Sequence, residues 1–128
     1  MNESAQALFS AIADGIYGPA SLSDSLVSDV EKFLGGEKLS PEQRLELRRL
    51  VSEHLEGFGW FLLGQFDNVG CGLPEGVLGY RIVAKPSKRR ADGEVDSLPE
   101  EDIREEYLDY ADMWLDYVAG LPDRAPQL

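Results

Sequence analysis

SPEQRLELRRLVSEHLEGFGWFLLGQF, residues 40–66, is the stretch that decides the fold. Ser40 stands where a helix N-cap belongs, Pro41 fills the first helical position, and Gln43 three residues on completes a capping box. The helix that opens here should be long, reaching about Phe66. Its first half is amphipathic, with Leu47, Leu50, Val51, His54, Leu55 and Phe58 on one side. Its second half, from Gly57, is apolar nearly all round, the pattern of a central buried helix. Gly57 and Gly64 lie on nearly the same face. Each costs helix stability by about 1 kcal/mol relative to alanine, which a close helix crossing or a local bend would offset.

Shorter helices precede this one. Leu8, Phe9, Ile12 and Ile16 recur at helical spacing between Ser4 and Tyr17, and Gly18-Pro19 ends the run. Ser21 or Ser23 can cap a second helix, with Leu26, Val27, Val30, Phe33 and Leu34 as its apolar stripe. Gly35-Gly36 closes it, glycine entering the left-handed conformation without steric penalty.

Beyond residue 66 the pattern changes. Asp67 to Pro74 is rich in turn residues, and Val77 to Ala84 reads as a strand. A lone strand cannot satisfy its own backbone groups. It must pair with residues 94–96 across the Asp92-Gly93 turn, with residues near Val69, or with another subunit. Lys85 to Arg90 is a basic loop. Ser97, with Glu100 three residues later, resembles a second capping box, and the pattern predicts a last helix from Ser97 to Ala119. On a wheel of about 100° per residue, Glu101, Asp102, Glu105, Glu106, Asp109, Asp112 and Asp116 share one arc. Ile103, Tyr107, Tyr110, Ala111, Trp114, Leu115 and Val118 lie opposite. The expected architecture is mostly α, α+β at most. It has about four helices around the long helix at 41–66 and one short β element near 77–84. Residues 1–120 form a single domain, and 121–128 a frayed tail.

Composition narrows the function. With 24 acidic and 12 basic side chains the net charge is −12, which repels phosphates and anionic membranes and favours cationic partners. Nucleic acid and membrane are therefore expected not to be partners. The longest charge-free apolar run falls well short of the ~20 residues that span a bilayer. One cysteine excludes an internal disulfide and fits the cytoplasm, and Met1 to Ser4 lack a signal-peptide pattern.

Few residues carry recognisable chemistry. One histidine and one cysteine cannot build a transition-metal site of the usual composition, and residues 67–71 lack the spacing of a calcium loop. The glycines at 70, 72, 76 and 79 do not form a phosphate cradle, so no cofactor or metal is expected. The acidic helix face has the best claim to function. Its four-residue carboxylate pairs repel, and Asp112 and Asp116 oppose the helix dipole, so the face is not tuned for helix stability. The expectation is a small acidic protein that binds a basic partner protein through Glu105, Asp109, Asp112 and Asp116, of the inhibitor, immunity or nucleic-acid-mimic type rather than an enzyme. Two alternatives stand beside it. One is a small-molecule binder or enzyme with a pocket near His54, Cys71 and Tyr80. The other is a homodimeric structural subunit pairing through the 80–84 strand.

Overall fold

A computed structural model describes residues 1–67, 73–105 and 107–121. Four helices dominate it: α1 (Glu3–Tyr17), α2 (Leu22–Phe33), α3 (Pro41–Gly64) and α4 (Tyr110–Ala119). Four short strands, β1 (Val83–Ala84), β2 (Ser87–Arg89), β3 (Val95–Ser97) and β4 (Glu101–Asp102), lie between α3 and α4 in sequence. The chain is mostly helical, and α3 packs against each of the other three helices.

The helix starts follow the local chemistry. Asn2 accepts from the Ala5 amide and Ser21 from the Asp24 amide. At α3 the Ser40 hydroxyl accepts from the Gln43 amide and the Gln43 side chain from the Ser40 amide, a complete capping box. α3 ends at Gly64 and tightens into a 3-10 turn over Gln65–Asp67. Gly35 and Gly36 take positive φ after α2, as expected of a glycine stop.

One hydrophobic core joins α1, α3, α4 and the segment before α4. Ala5, Phe9, Ala13 and Ile16 of α1 meet Leu63 of α3 and Tyr110, Met113, Trp114 and Val118 of α4, with Ile103 alongside. Trp114 is fully buried at its centre. Its ring meets Phe9 edge-on at 5.8 Å, stacks on Tyr117 at 6.3 Å, and its indole N–H donates to the Glu56 carbonyl at 3.0 Å. α2 docks beside this core rather than in it. Ser23 and Ser52 share a buried hydrogen bond at 2.9 Å where α2 crosses α3, and Arg48 of α3 reaches Asp24 and the Tyr17 and Gly18 carbonyls.

Several expectations are overturned. α3 is central, but its second half is not buried all round: Phe58, Trp60, Phe61 and Leu62 stand about half exposed, and Gly59 and Leu63 are its buried positions. Among the described residues no helix crosses at Gly57 or Gly64, where an added Cβ would meet nothing within 4 Å. The close approach is at Gly59 instead, where a Cβ would sit 3.0 Å from the Trp114 ring. On α2, Val27 is buried while Leu26, Phe33 and Leu34 remain exposed.

The largest correction concerns the last helix. It begins at Tyr110, not Ser97, so the Ser97–Glu100 capping box does not form; Ser97 ends β3. The strand expected at 77–84 contracts to Val83–Ala84, which pairs antiparallel with Glu101–Asp102. The Asp92-Gly93 turn does close a hairpin, but it joins 87–89 to 95–97, making a strand of much of the expected basic loop. The departure of 97–105 from a helix has a physical cause. A helix there would stack Glu101 on Glu105 and Glu105 on Asp109 at repulsive spacing. Extended, β4 supplies the partner that β1 lacks, and the Ile103 amide donates to the Ile82 carbonyl at 3.1 Å as Ile103 enters the core. Tyr107 and Leu115, placed on the aromatic stripe by the wheel, are exposed, Tyr107 at 94%.

Candidate functional site

α4 is anchored at its first turn by residues distant in sequence. Asp109, its N-cap, makes no side-chain cap. Asp67, at the end of the 3-10 turn, is buried and accepts from the Tyr110 amide at 2.6 Å and the Ala111 amide at 3.1 Å. A carboxylate there satisfies two amides that the helix leaves without partners and lies at the positive end of its dipole. Asp109 is thereby released to solvent.

The Tyr110 side chain ties the same turn to the β segment. Its hydroxyl donates to Asp102 at 2.6 Å and accepts from the Ile82 amide at 2.9 Å, while Arg104 lies over its ring at 5.7 Å. Partial burial alone would raise the Asp102 pKa. The Tyr110 hydroxyl, the Arg104 amide and the charges of Arg104 and Arg81 outweigh it and hold the carboxyl below its ordinary value. Burial, then the bond to Asp102, raises that of the Tyr110 phenol.

Around this junction the surface opens into two grooves. One, of about 530 Å³, is lined by Asp102, Arg104, Glu105, Tyr107, Leu108 and Asp109. The other, of about 460 Å³, lies across Arg104 and is lined by Leu78, Gly79, Tyr80 and Arg81. Tyr107 stands at the first groove with φ of +72°, a conformation that costs a non-glycine residue on the order of 1 kcal/mol or more.

The four expected partner-binding carboxylates fall into two settings. Glu105 lies in the loop before α4 and pairs with the Met1 amino group. Asp109, Asp112 and Asp116 are exposed and fall within roughly 60° of one another on the α4 wheel, a single ridge. Glu105 and Asp109 share the first groove, and the ridge continues from it through Asp112 to Asp116. Among the described residues no basic side chain lies in ion-pair range of Asp109, Asp112 or Asp116. The paired cations spend their charge elsewhere: Arg44 on Glu31, Arg48 on Asp24, Arg49 on Glu46 and Glu53. In the expected basic loop, Arg90 closes on Asp92, Glu94 and Asp96 of its own hairpin.

Of the alternative-pocket residues, Tyr80 lines the second groove while His54 lines neither groove. His54 is exposed on the outer face of α3, its ring bonded to the Leu50 carbonyl at 2.8 Å. Tyr80 packs edge-on against Phe66. Cys71 lies outside the described residues, as do Glu106 and residues 122–128. Among the described residues no helix is long and apolar enough to cross a membrane. Sequence reasoning missed Asp67 and Tyr110 as the pair that orients α4, since Asp67 sits 43 residues before the amide it caps. Comparison with protein-family models, with curated proteins and with solved structures found no match.

Proposed function

We propose that this protein binds a basic partner protein through an acidic strip running from the groove at Glu105 and Asp109 along the α4 ridge to Asp116. The observation that carries this reading is the exposure of Asp109, Asp112 and Asp116 on one ridge without described counter-charges, in a chain of net charge −12. The Asp112–Asp116 pair repels by a few tenths of a kcal/mol, and Asp116 faces the negative end of the dipole. Asp109 at the N-cap and Asp112 in the first turn lie at its favourable positive end, contrary to the expectation for Asp112. The three carboxylates are suited to steering a cationic surface, speeding encounter and fixing its register. Tyr107 beside the groove supplies an exposed aromatic of the kind that anchors interfaces. The single cysteine fits action in the cytoplasm.

The test is capture from the source cell at low and high salt, with wild type and with Asp109, Asp112 and Asp116 together changed to Asn. A basic protein held by wild type at low salt, released at high salt and not held by the triple variant supports the reading. Capture of the same proteins by both, at either salt, removes it.

A further inference from the structure

The register of the β1–β4 ladder continues past the strands themselves. Val83 faces Asp102, and the bond from the Ile103 amide to the Ile82 carbonyl sets those two residues against each other. One residue further, the same register sets Arg81 opposite Arg104. Ile103 is buried, so the alternation of an extended chain turns Arg81, Asp102 and Arg104 to the outer side. There all three line the groove of about 460 Å³, with Leu78, Gly79 and Tyr80. Like charges directly opposite one another destabilise a strand pair, and a bound anion relieves them. We propose that this groove binds a small organic monocarboxylate, its carboxylate held between the Arg81 and Arg104 guanidiniums and its apolar body lying over Leu78 and Tyr80.

The two guanidiniums are uncommitted. Among the described residues neither lies in ion-pair range of a carboxylate, whereas Arg44, Arg48, Arg49 and Arg90 are all paired. Lys85, Lys88 and Arg89 of the basic loop line neither groove. The arginine pair is also held in place. Arg104 lies over the Tyr110 ring at 5.7 Å, which leaves the N–H edge of its guanidinium to donate. Ile82, next to Arg81, is fixed by its bonds to the Tyr110 hydroxyl and the Ile103 amide. Charge then selects the ligand. Asp102 offsets one of the two guanidiniums, and the Tyr110 hydroxyl and Arg104 amide both donate to its Oδ1. A single positive charge remains, the match of one carboxylate, whose planar oxygens suit the guanidinium fork. The field of a chain of net charge −12 repels a phosphate dianion about twice as strongly as a monoanion. Leu78, 97% exposed, and Tyr80, about half exposed, offer the apolar body of such a ligand a surface beside the charge.

The test is titration of the full chain with sodium benzoate at constant ionic strength, followed by amide proton–nitrogen NMR spectra. Saturable shifts at Leu78 to Arg81 and at Arg104 are expected, with half-saturation at about 1 mM. Arg81→Gln changes an exposed side chain and removes one of two opposed charges. It should keep or raise the thermal midpoint while weakening benzoate binding about tenfold or more. Arg81→Lys restores the charge without the fork and should recover only part of the loss. Lys88→Gln makes the same change of net charge on the neighbouring hairpin and should leave binding unaltered. Absence of saturation up to about 50 mM benzoate overturns the proposal. So does neutral benzamide binding as well as benzoate, inorganic phosphate binding more tightly than either, or equal loss from Arg81→Gln and Lys88→Gln. None of these results bears on the α4 ridge, whose own test is the captured basic protein.

Discussion

The two faces of α3 use the same residue type for opposite ends. On the inner face Gly59 lets the Trp114 indole approach within the space of a missing Cβ, and the indole N–H reaches the Glu56 carbonyl one turn earlier. On the outer face Gly57 meets nothing, and the aromatics around it are exposed. A glycine in a helix announces that something is absent; only its angle to the core tells whether a neighbour uses the space. Seven-residue spacing singles out Gly57 and Gly64, while the glycine that matters to packing is Gly59 between them.

This contrast can be broken most forcefully at its inner half. Trp114→Ala should cost about 3–5 kcal/mol, because it empties the centre of the core and removes the link to Glu56. A loss below about 1 kcal/mol in urea titration would mean that the inner face is not where stability resides. Asp67→Ala should cost about 2–3 kcal/mol by leaving two buried amides of α4 without an acceptor. Helicity read by circular dichroism should fall alongside the midpoint. Gly59→Ala introduces strain of about 1–3 kcal/mol against the indole, reduced by close to 1 kcal/mol of helix propensity gained. A net loss of roughly 1 kcal/mol is expected. Gly57→Ala has only the propensity gain and should stabilise the chain by about 0.5–1 kcal/mol. Equal effects at the two glycines would erase the distinction between the faces.

The smallest expected effect comes from the clamp that holds α4 onto the inner face. The Asp102 carboxyl is held below its ordinary pKa in the folded chain, so its contribution is fully present above the unfolded value of about 3.9. That contribution is lost as pH falls through the folded value. Asp102→Asn should flatten the stability profile below about pH 4 and leave its slope at neutral pH unchanged. An unaltered acid limb would show that this carboxylate contributes nothing to the clamp.

The N-terminal half was legible because its signals are local. Ser40, Pro41 and Gln43 state the start of α3 within four residues, and Ser21 or Ser23 marks that of α2, where Ser21 is the cap; in the C-terminal half Trp114 was legible as core by the same local route, its apolar neighbours on α4. The segment from Ser97 to Asp109 was misread because its acid and aromatic spacing fits a helical wheel while its conformation is decided elsewhere. β1 needs a partner strand, and Ile103 has a place in the core only if the chain is extended. Of the candidate site, the ridge at Asp109, Asp112 and Asp116 was readable from spacing alone. The turn that separates Glu105 from it was not. Nor was the exposure of Phe58 and Phe61, because an apolar run does not say how many neighbours it will find.

The reach of Asp67 to α4 also bears on the order in which the molecule assembles. α4 has ten residues, short of the ~12–15 at which an isolated helix becomes even marginal in water. Its first-turn acceptor leaves the ribosome 43 residues before the amide it serves. Alone, a helix this short does not persist in water, so its stability depends on docking against α3 and on the Asp67 carboxylate. The loop closure that this requires is among the entropically expensive steps of the fold. Exchange of the Tyr110 and Ala111 amides with deuterium consequently reports on closure of the whole chain rather than on fraying of one short helix.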